Sequence, residues 1–123
     1  MYLDKGGACA TLGALHGVIQ MKMKVNAVFV VGLAENSIDS LSYKPHDIIK
    51  SRKGLTVEIG NTDAEGWLVL ADSLTYTQEN YNPKKIVDLA TLTGACVVAL
   101  GDKIAGIFSN NDEFANQLIN SSQ

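Results

Sequence analysis

The run VNAVFVVGL, Val25–Leu33, is the feature that most restricts the fold of this chain. It is apolar and β-branched almost without interruption, which is typical of a strand buried on both faces of a parallel sheet. The segment before it, Gly6–Met23, places Leu12, Leu15 and Ile19 near helical spacing and therefore predicts a helix. A helix followed by such a strand is the first step of an α/β arrangement.

The rest of the sequence repeats this alternation. Residues 34–54 are polar, contain Pro45 and predict a long surface connection. Apolar periodicity, with Gly and Pro at the segment ends, predicts strands at residues 55–59, 85–90 and 103–109 and helices at residues 67–81, 92–100 and 112–121. Strands separated by helices at this spacing predict an α/β fold with a mostly parallel sheet and helices on both faces.

Composition excludes several classes of partner. The net charge is -3 and the basic residues are scattered, which argues against nucleic-acid and anionic-membrane binding. The apolar runs are too short to span a bilayer. Cys9 and Cys96 lie in apolar runs of small residues, and we expect buried, reduced thiols in a cytoplasmic protein. A chain of 123 residues can form one ordinary domain, or part of one.

Two acidic residues mark a candidate site. Asp63 and Glu65 follow a predicted strand and precede a predicted helix, so they lie at the sheet edge where open α/β folds bind ligands. In extended backbone, residues two apart project to the same side, and the two carboxylates would repel each other unless a cation lay between them. A divalent ion is the natural occupant. The alternative is a solvated turn in which Asp63 caps the following helix.

Longer motifs add a resemblance. NTDAEGWLVLAD differs by one residue from the NTDAEGRL signature of the leucyl, or cytosol, aminopeptidase family, and VDLATLTGACVVALG resembles the family's next block. The opening MYLDKGGACA is similar to the family's MKxDMxGAA segment. The stretch from ENS to KGLTVEI is similar to the family's segment from ENM to SGKTVEI. The resemblance covers essentially the whole chain, in the family's order. It implies dinuclear-metal exopeptidases that act on peptides and assemble as hexamers.

The resemblance also assigns roles to residues. By position, Asp4, Asp63 and Glu65 would be ligands of two divalent ions, Mn, Zn or Mg, with Glu65 bridging both. The family's substrate-binding positions correspond to Met1, Asn61, Ala64, Thr91, Leu92 and Gly94. The isolated histidines, His16 and His46, are interpreted as structural or solvated residues.

The sequence departs from the family at Trp67, where the family has an arginine that holds a bicarbonate ion. An indole donates one hydrogen bond and carries no charge, so it does not replace a bidentate guanidinium. Losing such a donor raises a reaction barrier by about 3 kcal/mol, roughly a hundredfold in rate. No catalytic residue or bicarbonate site is therefore assigned, and we expect the Trp67 ring to pack as the first apolar residue of its helix.

The family's block ahead of Asp4, with a ligating lysine and aspartate and a catalytic lysine, has no counterpart in this sequence. Residues 1–123 therefore resemble an internal, partial catalytic domain, an incomplete version of the family's α/β fold. Uncovered apolar edges would favour self-association. Two functions stay open: a metal-dependent aminopeptidase, or an inactive truncated or degenerate relative that at most binds metal or associates with subunits.

Overall fold

The fold is taken from a computed structural model, which describes residues 4–122. Its elements are helix α1 (Gly6–Gln20), strands β1 (Ile48–Lys50) and β2 (Thr56–Glu58), a 3-10 turn (Thr62–Ala64), and helices α2 (Glu65–Tyr81), α3 (Gly94–Leu100) and α4 (Asp112–Ser121). The chain divides into two compact units between Leu92 and Thr93. No helix within residues 4–122 is long and apolar enough to cross a membrane.

Helix α1 forms where the apolar spacing predicts it, although it ends three residues before Met23. Gly7 is buried, and a Cβ atom at this position would lie 1.8 Å from the backbone oxygen of Leu89. The missing side chain therefore lets α1 approach the backbone of residues 89–90 directly. This contact confirms that a glycine on this helix permits close packing.

A short antiparallel hairpin occupies the middle of the first unit. Strand β2 lies inside the strand predicted at residues 55–59, and it pairs with β1 in the register Ile49↔Val57. Strand β1 falls within residues 34–54, where the sequence predicted only a surface connection, and that prediction was wrong here. The strand is three residues long with a largely exposed outer face, so its composition does not separate it from the loop around it. Ile59, just after β2, is 3% exposed and is the buried hydrophobic residue of the described chain.

Helix α2 begins two residues earlier than predicted and ends as predicted. Its C-terminal residue Tyr81 is followed by Asn82 in the left-handed conformation, with φ of 42°, and then by Pro83. Asn tolerates this conformation better than most residues, and Pro does not continue a helix. The sequence therefore fixes the end of α2 through local backbone chemistry.

Arg52 connects the hairpin turn to α2. Its backbone N–H donates to Asp72 Oδ1 at 2.9 Å, and its Nε donates to Glu79 Oε2 at 2.7 Å. The guanidinium carbon lies 5.1 Å from the centre of the Tyr76 ring. Residues 72, 76 and 79 share one face of α2 because they are spaced by about one turn. One side chain and its backbone therefore hold the hairpin against the helix.

Three predicted strands do not form ladders. Residues 25–33, 85–90 and 103–109 lie outside every strand in the described part of the chain, whose sheet is the antiparallel β1–β2 hairpin. An apolar run reports that a segment is shielded from water, whereas a ladder requires a neighbouring strand about 4.8 Å away. The first of these segments does pack on a helix, because a Cβ atom on Gly32 would lie 2.7 Å from Val69 Cγ1 and from Ser73 Oγ.

The second unit contains two capped helices at the predicted places, although α3 begins two residues later than predicted. Thr93 caps the start of α3 by accepting the Ala95 N–H at 3.2 Å, and Gly101, with φ of 81°, follows the end of the helix. Helix α4 has the predicted bounds. Asn111 caps α4 by accepting the Phe114 N–H at 2.8 Å.

The prediction of two buried thiols was wrong. Cys9 is exposed on α1, and Cys96 is partly exposed on α3. A run of small apolar residues on a helix needs only one face covered, so an individual cysteine in that run can face outward.

Candidate functional site

The 3-10 turn carries Asp63 and is organised by Asn61. The side-chain oxygen of Asn61 accepts the Asp63 N–H at 3.0 Å, and its backbone oxygen accepts the Ala64 N–H at 3.2 Å. An Asn side chain commonly stabilises a turn in this way. The side chain that the family resemblance assigns to substrate binding therefore also holds the backbone of Asp63 in place.

Glu65 is the first residue of α2, and one of its carboxylate oxygens is an exception among the polar atoms. Glu65 Oε2 is buried and has no hydrogen-bond partner within residues 4–122. A buried carboxylate oxygen without a partner is costly, even though a helix N-terminus favours negative charge. Such an oxygen atom is suited to bind a cation. The alternative role of Asp63 as the cap of α2 is not observed, since the N-cap residue of α2 is Ala64 and no side chain caps the helix.

One cavity of about 1830 Å³ brings several of the predicted residues together. Asp4, Asp63, Glu65, Thr91 and Leu92 all line it. Asn61 and Ala64 are not among the described lining residues, although both belong to the turn that presents Asp63. Gly94 lies in the second unit and stays a prediction, and Met1 lies outside the described residues. The cavity also has ionisable residues that the sequence did not single out, such as Lys84 and Asp88.

The carboxylates supply the right chemistry for hard divalent ions but do not form a closed set. Carboxylate oxygens are ligands that Mg²⁺, Mn²⁺ and Zn²⁺ accept. Within residues 4–122, however, no group of three His, Cys, Asp or Glu side chains is close enough to hold a metal ion. The expected convergence of Asp4, Asp63 and Glu65 on a common ion is therefore not seen. The described residues alone do not fit a complete metal site, and Glu65 is the one residue whose environment suits a ligand.

Trp67 does not pack as expected. Its residue surface is 59% exposed although it is the third residue of α2, and it is not among the described residues that line the cavity. The prediction that its ring packs as the first apolar residue of the helix was wrong. The apolar residues of α2 that line the cavity include Leu68, Val69, Leu70 and Leu74. Trp67 therefore occupies the neighbouring, outward face, because successive helix residues are rotated by about 100°.

Neither histidine lines the cavity among the described residues. His46 is exposed and its Nδ1 atom lies 3.1 Å from Glu58 Oε1, at the open end of the hairpin. His16 is exposed on α1. One tyrosine on the cavity wall has a perturbed titration: the hydrogen bond with Tyr76 raises the pKa of Tyr81 above its usual value.

Helices packed on apolar segments, with Asp63 on a turn and Glu65 at the N-terminus of α2, are features of an α/β protein. The chain belongs to the cytosol aminopeptidase family, whose catalytic-domain model matches residues 1–123. This match and the structural likeness below confirm the resemblance and the α/β fold class.

Relatives and a solved structure agree with this assignment. A probable cytosol aminopeptidase of Ehrlichia ruminantium (strain Gardel) is 56% identical over 120 residues, which cover 97% of this chain and 24% of that protein. One from Wolbachia pipientis wMel is 52% identical with the same coverage. The structure of a tomato leucine aminopeptidase mutant matches with a TM-score of 0.89 at 43% identity, covering 99% of this chain and 24% of the other. The chain thus spans about a quarter of the length of these proteins.

Proposed function

We propose that residues 1–123 are part of the catalytic domain of a metal-dependent aminopeptidase that releases N-terminal amino acids from peptides. The family match along the whole chain supports the activity. The buried, unpartnered Oε2 atom of Glu65 carries the proposal at the level of the site, because Glu65 lines a cavity that Asp4 and Asp63 also line. A buried carboxylate is retained more readily where a positive charge compensates it.

In this proposal Asp4, Asp63 and Glu65 contribute ligands to two divalent ions, Mn, Zn or Mg. Such ions, when bound, polarise the peptide carbonyl and lower the pKa of a bound water. Glu65 is the first residue of α2, and the N-terminus of a helix carries a partial positive charge. Asn61 fixes the turn through its bond to the Asp63 N–H. These residues would therefore present negative charge to the cavity.

The substrate would lie along the end of residues 85–92. Thr91 and Leu92 line the same cavity as the acids, so a peptide held there would be within reach of them. Met1, Asn61, Ala64 and Gly94 complete the proposed substrate-binding set. We also propose that the protein acts in the cytoplasm, as the names of its relatives indicate, and as a homo-hexamer.

A second function is supported by the open arrangement of the acids. Because no three-donor group forms within residues 4–122 and Trp67 replaces the cationic arginine, the chain alone would be an inactive relative that binds metal weakly or associates with subunits. Both proposals assign metal binding to the carboxylates. They differ in whether the 123-residue chain hydrolyses peptides.

The test measures Mn²⁺ binding by calorimetry and hydrolysis of a leucyl chromogenic amide by the pure chain. We expect weak binding, with a dissociation constant on the order of 0.1 to 1 mM, as for other incomplete carboxylate sites. Glu65→Gln should weaken binding by about tenfold, since it removes one charged ligand. Asp102→Asn is the matched control, because this acid is exposed in the second unit.

Equal Mn²⁺ affinity in the Glu65→Gln and Asp102→Asn variants would contradict the proposed metal site. Metal-dependent turnover by the pure chain would support the aminopeptidase and rule out the inactive relative. Binding without turnover would support the second function for the chain alone.

A further inference from the structure

The cavity contains negative charge that no bonded partner in the described part of the chain compensates. Asp4, Asp63 and Glu65 line it, yet no three His, Cys, Asp or Glu side chains within residues 4–122 are close enough to hold a metal ion. Glu65 Oε2 is buried and has no hydrogen-bond partner there. A buried carboxylate oxygen without a partner is costly, so a positive group that reaches it gains free energy.

Lys5 is a positive residue beside these acids. It lines the same cavity as its neighbour Asp4, and its ammonium forms no ion pair with an acid within residues 4–122. In the family segment that the opening resembles, MKxDMxGAA, a methionine stands at this position, so the charge is a departure of this sequence. The cavity wall therefore carries an unpaired cation from the start of α1 and an unpaired carboxylate oxygen from the start of α2.

Helix α1 gives no local reason for a lysine at this position. Lys5 is the N-cap residue of α1, its side chain makes no capping hydrogen bond, and the first turn of the helix contains no acidic residue. A helix N-terminus disfavours positive charge, and the usual N-cap residues are Ser, Thr, Asp and Asn. A residue that breaks a local rule is commonly compensated by an interaction elsewhere in the molecule.

The first turns of α1 and α2 contact two adjacent residues. A Cβ atom on Gly6 would lie 3.0 Å from Thr91 Cγ2, and a Cβ atom on Gly66 would lie 3.1 Å from Leu92 Cδ2. The residue directly before each glycine is one of the two unpaired charged residues. The cation and the carboxylate are therefore each one residue away from a contact with the same dipeptide.

Lys84 provides a comparison within the same cavity. It follows the C-terminal end of α2, whereas Glu65 is the first residue of that helix, and 17 helical residues extend over about 25 Å. This length exceeds the screening distance of about 8 to 10 Å in ordinary buffers. Lys5 instead begins beside the acids, and its ammonium is carried on a flexible four-carbon stem.

We propose that Lys5 is a built-in counter-ion of the carboxylates in this cavity. Its ammonium pairs with Glu65 when no divalent cation is bound, and a divalent cation has to displace it. The lysine thereby stabilises the buried carboxylate without metal and lowers the affinity of the cavity for divalent ions. The proposal rests on the proposed carboxylate site and concerns the regulation of that site by a residue of the same chain.

The first experiment is done without metal. The side-chain carboxyl carbon of Glu65 is observed by NMR spectroscopy in the unmodified 123-residue chain and in Lys5→Met, which carries the family's residue. We expect the carboxyl signal to shift when the ammonium is lost, by at least about threefold more than in the matched control Lys84→Met, whose charge lies beyond the screening distance. Both lysines are exposed, so neither variant disturbs a core.

The second experiment measures Mn²⁺ affinity by calorimetry at low ionic strength. Lys5→Met should bind Mn²⁺ about threefold to tenfold more tightly than the unmodified chain, because a positive charge within several ångströms of the ion is removed. Lys5→Arg keeps the charge and should change the affinity by less than about twofold, and so should Lys84→Met.

The counter-ion proposal is overturned if Lys5→Met shifts the Glu65 carboxyl signal no more than Lys84→Met does. It is also overturned if Lys5→Met binds Mn²⁺ no more tightly than Lys5→Arg while Glu65→Gln still weakens binding. Equal Mn²⁺ affinity in Glu65→Gln and Asp102→Asn would instead contradict the proposed metal site. In that case the carboxyl signal alone decides for or against the counter-ion, so the two proposals can fail separately.

Discussion

Replacing Gly7 by Ala tests the contact between α1 and the backbone of residues 89–90. The new Cβ atom would lie 1.8 Å from the Leu89 oxygen, 2.5 Å from the Leu89 carbonyl carbon and 2.9 Å from Ala90 Cα. All three are backbone atoms, so no flexible side chain can turn aside. Carbon atoms in contact lie about 3.5 to 4.0 Å apart, so the helix must shift by more than 1 Å.

The magnitude follows from two opposing effects. Ala in place of Gly inside a helix stabilises it by about 0.5 to 1 kcal/mol. Overpacking a close contact costs about 1 to 3 kcal/mol and sometimes more. The overpacking should win, and we expect Gly7→Ala to lower the free energy of unfolding of the first unit by about 1 to 2 kcal/mol.

The matched control is Gly13→Ala in the same helix. Nothing lies within 4 Å of a Cβ atom at Gly13, so only the helix propensity acts and this variant should gain about 0.5 to 1 kcal/mol. Urea unfolding followed by circular dichroism gives both values, and hydrogen exchange of the α1 amides gives a second measurement. If the two variants are equally stable, α1 does not rest on the backbone of residues 89–90 and the reasoning is wrong.

Two further predictions concern exposed residues. Arg52→Ala should lower the free energy of unfolding by about 0.5 to 1 kcal/mol, because a half-exposed ion pair and a cation–π contact contribute little each in water. A double-mutant cycle with Glu79→Gln would measure the pair, and an interaction energy of zero would show that Arg52 does not hold the hairpin. Trp67→Arg should change stability by less than about 0.5 kcal/mol, since its position is exposed, and should leave hydrolysis of a leucyl amide by the pure chain undetectable. A large loss of stability in this variant, measured by the same unfolding assay, would mean that the indole is packed after all.

The helices could be predicted from the sequence because their limits depend on neighbouring residues. Asn111 before α4 and Gly101 after α3 act through bonds or backbone angles that span a few residues. The ladders could not be predicted in the same way, since a strand needs a partner that may lie anywhere along a polypeptide. The run at residues 25–33 reports an apolar environment and carries no information about which backbone pairs with it.

The sequence motifs name candidate site residues, but they do not give the geometry of a site. The motif around Asp63 and Glu65 placed both acids on a turn before a helix, and the structure gives that turn and a shared cavity with Asp4. The distances among the three acids depend on packing between distant parts of the chain, which no short motif records. Trp67 faces outward because of its position along α2. The helix was predicted to start at Trp67, two residues after its observed start at Glu65, so the prediction did not give this orientation.

The contacts of Arg52 with α2 affect the order in which the chain folds. Its partners lie 20 and 27 residues away along the sequence, and the His46–Glu58 contact spans 12. Short loops close quickly and at a small cost in entropy. Residues 46–81 can therefore form native-like contacts early, as the polypeptide leaves the ribosome. The apolar segments at residues 25–33 and 85–90 would become covered later, and they would be the last parts of the chain to resist chaperone binding and proteolysis.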